Sequence, residues 1–148
     1  MSITFHIPGA PIGKGRPRHT VRGGFVKTYT PARTARWEAF AASAMSTTWE
    51  GREPLREPVA LSIMILFPRP QRMVWKTKPM KREPHTGRPD TDNVVKAVCD
   101  SMEKAGVVAN DSVIWSIFAE KYYASGSEGP GIFICLRAAS VDSEALAS

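Results

Sequence analysis

Four of the chain's five aspartates lie in one run, RPDTDNVVKAVCDSMEKAGVVAND, which spans residues 88 to 111. The whole is cationic, with 20 Lys and Arg against 14 Asp and Glu and a formal charge of +6. Acid gathered in a basic protein calls for a positive partner. Asp90 and Asp92 stand two apart, and in extended backbone such residues point the same way. Asp111 follows after a helix-length interval, at the start of a predicted strand. Three hard oxygen donors of this kind suit Mg²⁺, with Mn²⁺ as a substitute. Such an ion activates water and offsets charge building on a phosphodiester. Lys96, one helical turn after Asp92, would place an ammonium where that negative charge develops. Asn93 and Asp100 share its face and are candidate supporting residues.

Each part also has a plain structural reading. Asp92 alone would serve as a helix N-cap, Asp90 as a turn residue after proline, and Asp111 as the opener of a strand turn. Lys96 and Asp100 would make a solvated i,i+4 pair worth a few tenths of a kcal/mol. The joint pattern in a cationic chain is what favours chemistry. His6, His19 and His85 lack metal-ligand spacing and are read as non-ligands, with His19 in reach of a phosphate. Cys99 and Cys135 are too few for a disulfide framework or a zinc site, and read as reduced core residues. No serine or cysteine nucleophile signature and no glycine-rich phosphate loop is present, which leaves no call for an organic cofactor.

The elements that must position these residues follow from periodicity. Ser2 to Ile7 alternates as a half-buried strand does. HTV and FVKTY flank Arg22-Gly23-Gly24 and predict a hairpin within a basic arm over residues 14–29. Thr30 as cap and Pro31 at the first helical position open a helix whose buried stripe is Trp37, Phe40, Ala41, Ala44, Met45 and Thr48. Val59 to Phe67 reads as a central strand. Residues 68–88 hold six Lys and Arg before Gly87 against Glu83 alone, and read as a long, mobile, basic loop. In it Met73, Val74 and Trp75 would either wedge between bases or anchor the loop on the body. With Asp92 as cap, a second helix buries Val94, Val95, Val98, Cys99, Met102 and Ala105, and Gly106 ends it. Residues 112–123 and IFICLR at 132–137 read as strands, and 138–148 as a frayed tail. The order gives a single α+β domain over residues 1–148, a mixed β-sheet with two helices packed on one side.

A basic arm and a basic loop predict a polyanionic partner, with Lys14, Arg16, Arg18, Arg22, Lys27, Arg72, Lys76, Lys78 and Arg88 as the nucleic-acid contacts. A membrane partner is disfavoured, because these charges sit in Gly- and Pro-rich stretches and no apolar run approaches about 18 residues. The N-terminus lacks the pattern of a signal peptide, so a soluble, cytoplasmic protein is expected. Two function classes remain: a metal-dependent nuclease, or a non-catalytic basic nucleic-acid-binding module whose acids only brace the fold.

The acidic run resembles the core signature of the RusA family of Holliday junction resolvases: Asp-x-Asp-Asn, a Lys four residues on, an Asp four after that, and an acid opening the next strand. KGRPR, followed by a glycine turn and TYTP before a helix, is similar to the N-terminal part of phage-type members. The resemblance implies a homodimeric, Mg²⁺-dependent endonuclease that cuts four-way DNA junctions in recombination and repair, encoded by a phage or prophage in a bacterial host. It also implies that Asp90, Asp92 and Asp111 bind the metal and that Lys96 is the essential lysine.

Overall fold

The computed structural model describes residues 2–15 and 18–141, apart from the side chains of Arg18 and Arg22. Arg16 and residues 142–148 of the expected tail lie outside the described residues. Strand β1 (Ile3–Pro8) is followed by a hairpin of β2 (Arg18–Arg22) and β3 (Phe25–Tyr29), then α1 (Ala32–Trp49) and β4 (Val59–Phe67). The chain continues through a two-residue strand β5 (Glu83–Pro84), α2 (Thr91–Lys104), β6 (Ile114–Tyr123) and β7 (Gly131–Arg137).

The main sheet has the order β1-β7-β4-β6-β5. β4 and β6 are parallel, joined by the crossover that contains α2, and the other neighbours are antiparallel. Alternation decides which face is buried: Phe5 and Ile7 of β1, Leu61, Ile63 and Ile65 of β4, and Ile132, Ile134 and Leu136 of β7 all join one core. Ala41, Met45 and Trp49 of α1 and Val94, Val98 and Met102 of α2 close that core from the same side. The α+β plan with both helices on one face of a mixed sheet therefore holds. Each fully buried Ile, Leu or Met stabilises the fold by about 1.5–3 kcal/mol relative to exposure. The packing thus fixes α2 rigidly against β4 and β6.

β2 and β3 form a separate two-stranded sheet turned by Gly23 and Gly24, both at positive φ (56° and 81°), as a two-residue hairpin loop requires.

Four local expectations are corrected. The first helix begins at Ala32 with Pro31 as its cap residue, and no side chain caps it. Its buried stripe is Thr34, Glu38, Ala41, Met45 and Trp49, so Phe40 and Thr48 face solvent instead. The frame rotates because a carboxylate, Glu38, is held in the interior by lysines. α2 is preceded by Asp90, not Asp92, in the cap position. The tail does not fray from 138, since Ala138 and Val141 belong to the core and a third helical segment begins at 139.

The stretch over 68–88 is tied to the body at several points. Arg69 donates to the carbonyls of Met73 (2.6 Å), Lys81 (2.7 Å) and Ala124 (3.2 Å). Arg82 pairs with Glu128 at 2.7 Å, and the Gly126 amide donates to the Met80 carbonyl at 2.9 Å. The Trp75 ring lies between the Arg69 guanidinium (4.7 Å) and the Lys78 ammonium (4.1 Å). Both cations belong to the same stretch, so these cation–π contacts brace the loop internally.

Candidate active site

Asp90 ends the extended segment that leads into α2, and its carbonyl accepts from the amides of Asn93 (3.1 Å) and Val94 (3.2 Å). Its carboxylate makes no capping bond, although the helix start beside it favours negative charge. Asp92 sits in the first turn and is exposed. Lys96, also exposed, follows one turn later on the same face. Asp111 opens a single 3₁₀ turn, Asp111–Val113, that delivers the chain into β6; Asn110 caps it by accepting from the Ser112 amide at 2.8 Å.

Two adjoining hollows flank α2. One is lined by Asp111 and Lys96 together with Val95, Cys99 and Ile117. In the other, Asp90 stands with Asn93, Arg88 and Arg33. Lys14 lines both. The structure thus brings Asp111 to Lys96 and Asp90 to Arg88, while Asp92 lines neither hollow. Among the described residues, no three His, Cys, Asp or Glu side chains stand ready to enclose one metal ion.

The electrostatics separate these acids from the rest. No Lys or Arg among the described residues forms an ion pair with Asp90, Asp92 or Asp111. Asp100, by contrast, is paired with Lys14 at 2.8 Å. The three carboxylates are exposed, hard oxygen donors that no ion pair with a described residue occupies, which is the donor chemistry a divalent cation needs. By donor type they suit such an ion, and in the described geometry they do not enclose one.

Lys14 departs from the role of a phosphate-binding lysine. Its ammonium bonds Glu38 at 2.7 Å as well as Asp100, and it is 23% exposed. Glu38 is fully buried, and Lys104 is its second partner. Burial would lower the Lys14 pKa, but hydrogen bonds to Asp100 and Glu38 outweigh this and raise it. The Lys14 amide donates to the Asn93 carbonyl at 3.0 Å, and the Gly15 amide to Thr34 Oγ1 at 3.1 Å. Gly13 sits so close to Pro89 that a Cβ there would come within 2.6 Å of the proline ring. The base of the arm is therefore built into the site wall.

Two further groups escape sequence reasoning. Glu38 is one, although a lone acid on an apolar helical stripe beside a basic arm was a usable signal. Lys121 is the other, a lysine on the core-facing register of β6 whose Nζ donates to the carbonyls of Gly87 and Pro89, both at 2.7 Å. Burial lowers its pKa, against the raising effect of the Asp90 charge.

Cys99 and His85 behave as non-catalytic residues. Burial, with the Asp100 and Asp111 charges, pushes the Cys99 thiol up to about 11, which removes it as a nucleophile. His85 stacks on Phe67 at 4.1 Å, and burial together with Lys121 lowers its pKa. Of the expected nucleic-acid contacts, Lys27, Arg72, Lys76, Lys78 and Arg88 are exposed.

Comparison with known proteins places the chain in a family. The sequence model of the family described as Endodeoxyribonuclease RusA matches residues 8–137. The uncharacterized protein YqaN of Bacillus subtilis is 27% identical over 141 residues, covering 91% of this chain and 95% of the relative. The crossover junction endodeoxyribonuclease RusA of Aquifex aeolicus is 26% identical over 127 residues, covering 86% of each. The match runs from the end of β1 to the end of β7 and takes in both hollows, and the chain belongs to the endodeoxyribonuclease RusA family.

Proposed function

We propose that this protein is a Mg²⁺-dependent endonuclease that resolves four-way DNA junctions by paired phosphodiester hydrolysis, acting as a homodimer. Asp90, Asp92 and Asp111 would hold the metal, with Mn²⁺ able to replace Mg²⁺. The bound ion would supply a Lewis acid for the phosphate and a lowered pKa for water. The chain's own contribution is positional. Packing of Val94 and Val98 fixes α2, so Asp92 and Lys96 keep one face toward the phosphate, and Lys96 offsets charge where it grows. Lys27, Arg88 and the exposed cations of the 68–88 segment would grip the backbone of the junction arms. A junction has approximate two-fold symmetry, so two matched cuts call for two sites related by a two-fold axis.

One observation carries this reading over a non-catalytic binding module: three exposed carboxylates in a cationic protein form neither an ion pair with a described residue nor a side-chain capping bond. Acids that only braced the fold would be bonded to it, as Asp100 and Glu38 are.

The test is a labelled four-way junction incubated with Mg²⁺ and then with EDTA, using wild type and Asp92→Asn. Paired nicks that vanish with chelator and in the variant, while junction binding persists, are expected. Binding without cutting in Mg²⁺ or Mn²⁺ would establish the binding module instead.

A further inference from the structure

Lys121 has no part in the reaction as set out above, yet it grips the segment that presents Asp90. Three bonds link this one residue to residues 85–89. Its carbonyl accepts from the His85 amide at 3.0 Å, and its ammonium donates to the carbonyls of Gly87 and Pro89 at 2.7 Å each. Immediately before them, β5 pairs with β6 at Glu83↔Tyr123 and Pro84↔Tyr122, so the end of β6 templates the whole approach to α2. Behind the clamp, the His85 ring is held between Phe67 (4.1 Å) and Tyr123 (4.6 Å).

Both acceptors of the ammonium are neutral carbonyls. Its positive charge is therefore not cancelled by an ion pair among the described residues, and Asp90 lies near enough to interact with it. A lysine has three N–H donors, of which two are used here. An exposed carboxylate serves a metal better when the backbone that presents it is fixed with precision. Asp90 follows a long stretch with few regular hydrogen bonds, which by itself would not supply that precision.

We propose that Lys121 is a positioning residue that locks the Gly87–Pro89 segment and so fixes Asp90 as a donor to the divalent cation. The proposal rests on the reading of Asp90 as a metal donor. Removing the clamp should weaken metal uptake and leave DNA affinity alone, because Lys121 faces the protein's own backbone. Partners that orient metal ligands in this way are worth about 10–100-fold in metal affinity.

The experiment titrates Mn²⁺ calorimetrically into the DNA-free protein as wild type, Lys121→Met and Lys121→Arg, with thermal melts to establish folding. Junction binding is measured in EDTA, and amide exchange over residues 87–93 is followed without metal. Lys121→Met should raise the Mn²⁺ dissociation constant about tenfold, speed exchange over 87–93, and leave junction affinity unchanged. Lys121→Arg, which keeps donors for both carbonyls, should recover most of the loss. Unchanged Mn²⁺ affinity with unchanged exchange would overturn the clamp, as would loss of junction affinity matching the loss of metal affinity, which would make Lys121 a DNA contact. Should Lys121→Met fail to fold, Lys121→Gln takes its place: faster exchange over 87–93 together with weaker Mn²⁺ uptake supports the clamp, and wild-type values for both overturn it. Wild type that takes up no Mn²⁺ overturns the metal reading, and exchange in Lys121→Met still decides the clamp: faster exchange over 87–93 upholds it, and wild-type exchange removes it.

Discussion

Lys96 and Lys14 are both lysines beside the same hollow, yet their surroundings set them to different work. Lys96 is exposed and forms no ion pair among the described residues, so its charge is available to a substrate phosphate. Lys96→Ala should keep junction affinity at moderate salt and lose about 10²–10³ in cleavage rate, the usual effect of deleting a group aimed at developing charge. Equal losses in binding and cutting would return Lys96 to the general basic surface. Lys14 instead neutralises the interior carboxylate of Glu38, leaving only Lys104 if it is removed. Lys14→Met should therefore destabilise the fold by about 2 kcal/mol, measured by urea denaturation at neutral pH, because a buried carboxylate loses one of its two cations. A denaturation midpoint equal to that of wild type would show that Lys104 alone suffices.

Among the elements, the strap between Arg82 and Glu128 sets how firmly the basic segment is held. Glu128 accepts from Arg82 and from the Ser125 amide (2.7 Å), and these bonds hold its carboxyl down from 4.5 to about 2. A depressed carboxylate pKa means that the bound, ionised form stabilises the fold above about 4.5 and ceases to do so as pH falls toward about 2. The melting temperature of wild type should exceed that of Glu128→Gln by a constant margin near neutrality, and the margin should shrink through that acidic window. A margin independent of pH would remove the strap from the stability of this segment. Such straps explain what the sequence did not disclose. α2 was legible because Val94, Val98 and Met102 repeat at the helical period whatever lies around them. The segment over 68–88 has no period, and its order comes from Arg69 and Arg82 reaching Ala124 and Glu128, partners more than 40 positions away. The stripe of α1 was misjudged for a related reason. Phe40 is apolar and Glu38 is not, and only the folded chain supplies the two lysines that let the carboxylate go inside. The acids themselves were legible as a set, while the clamp beside Asp90 depends on Lys121, 32 positions beyond Pro89, and left no local pattern.

For the whole molecule, the net charge of +6 has to be divided between cations spent on the protein and cations left for a partner. Lys14, Lys104 and Arg82 are spent in ion pairs. The hairpin arm stands on a different footing: it forms its own two-stranded sheet, and all five residues of β3 are exposed, Phe25 by 80%. A two-stranded hairpin is marginal on its own, so an arm of this kind is suited to closing on a ligand. Each phosphate neutralised by a lysine or arginine releases counterions and steepens the fall of affinity with salt by about 0.9 in the log–log slope. Replacing Arg18, Arg22 and Lys27 together by alanine should then flatten the slope for junction binding by about 2.7, with cleavage at saturating junction little changed. Lys14→Met should leave the slope near that of wild type, since its charge is committed to Glu38 and Asp100. The measurement is a binding isotherm repeated over a series of salt concentrations in EDTA. Parallel salt plots for wild type and the triple variant would remove the arm from the DNA interface, and a flattened plot for Lys14→Met would mean that the buried network opens when DNA binds.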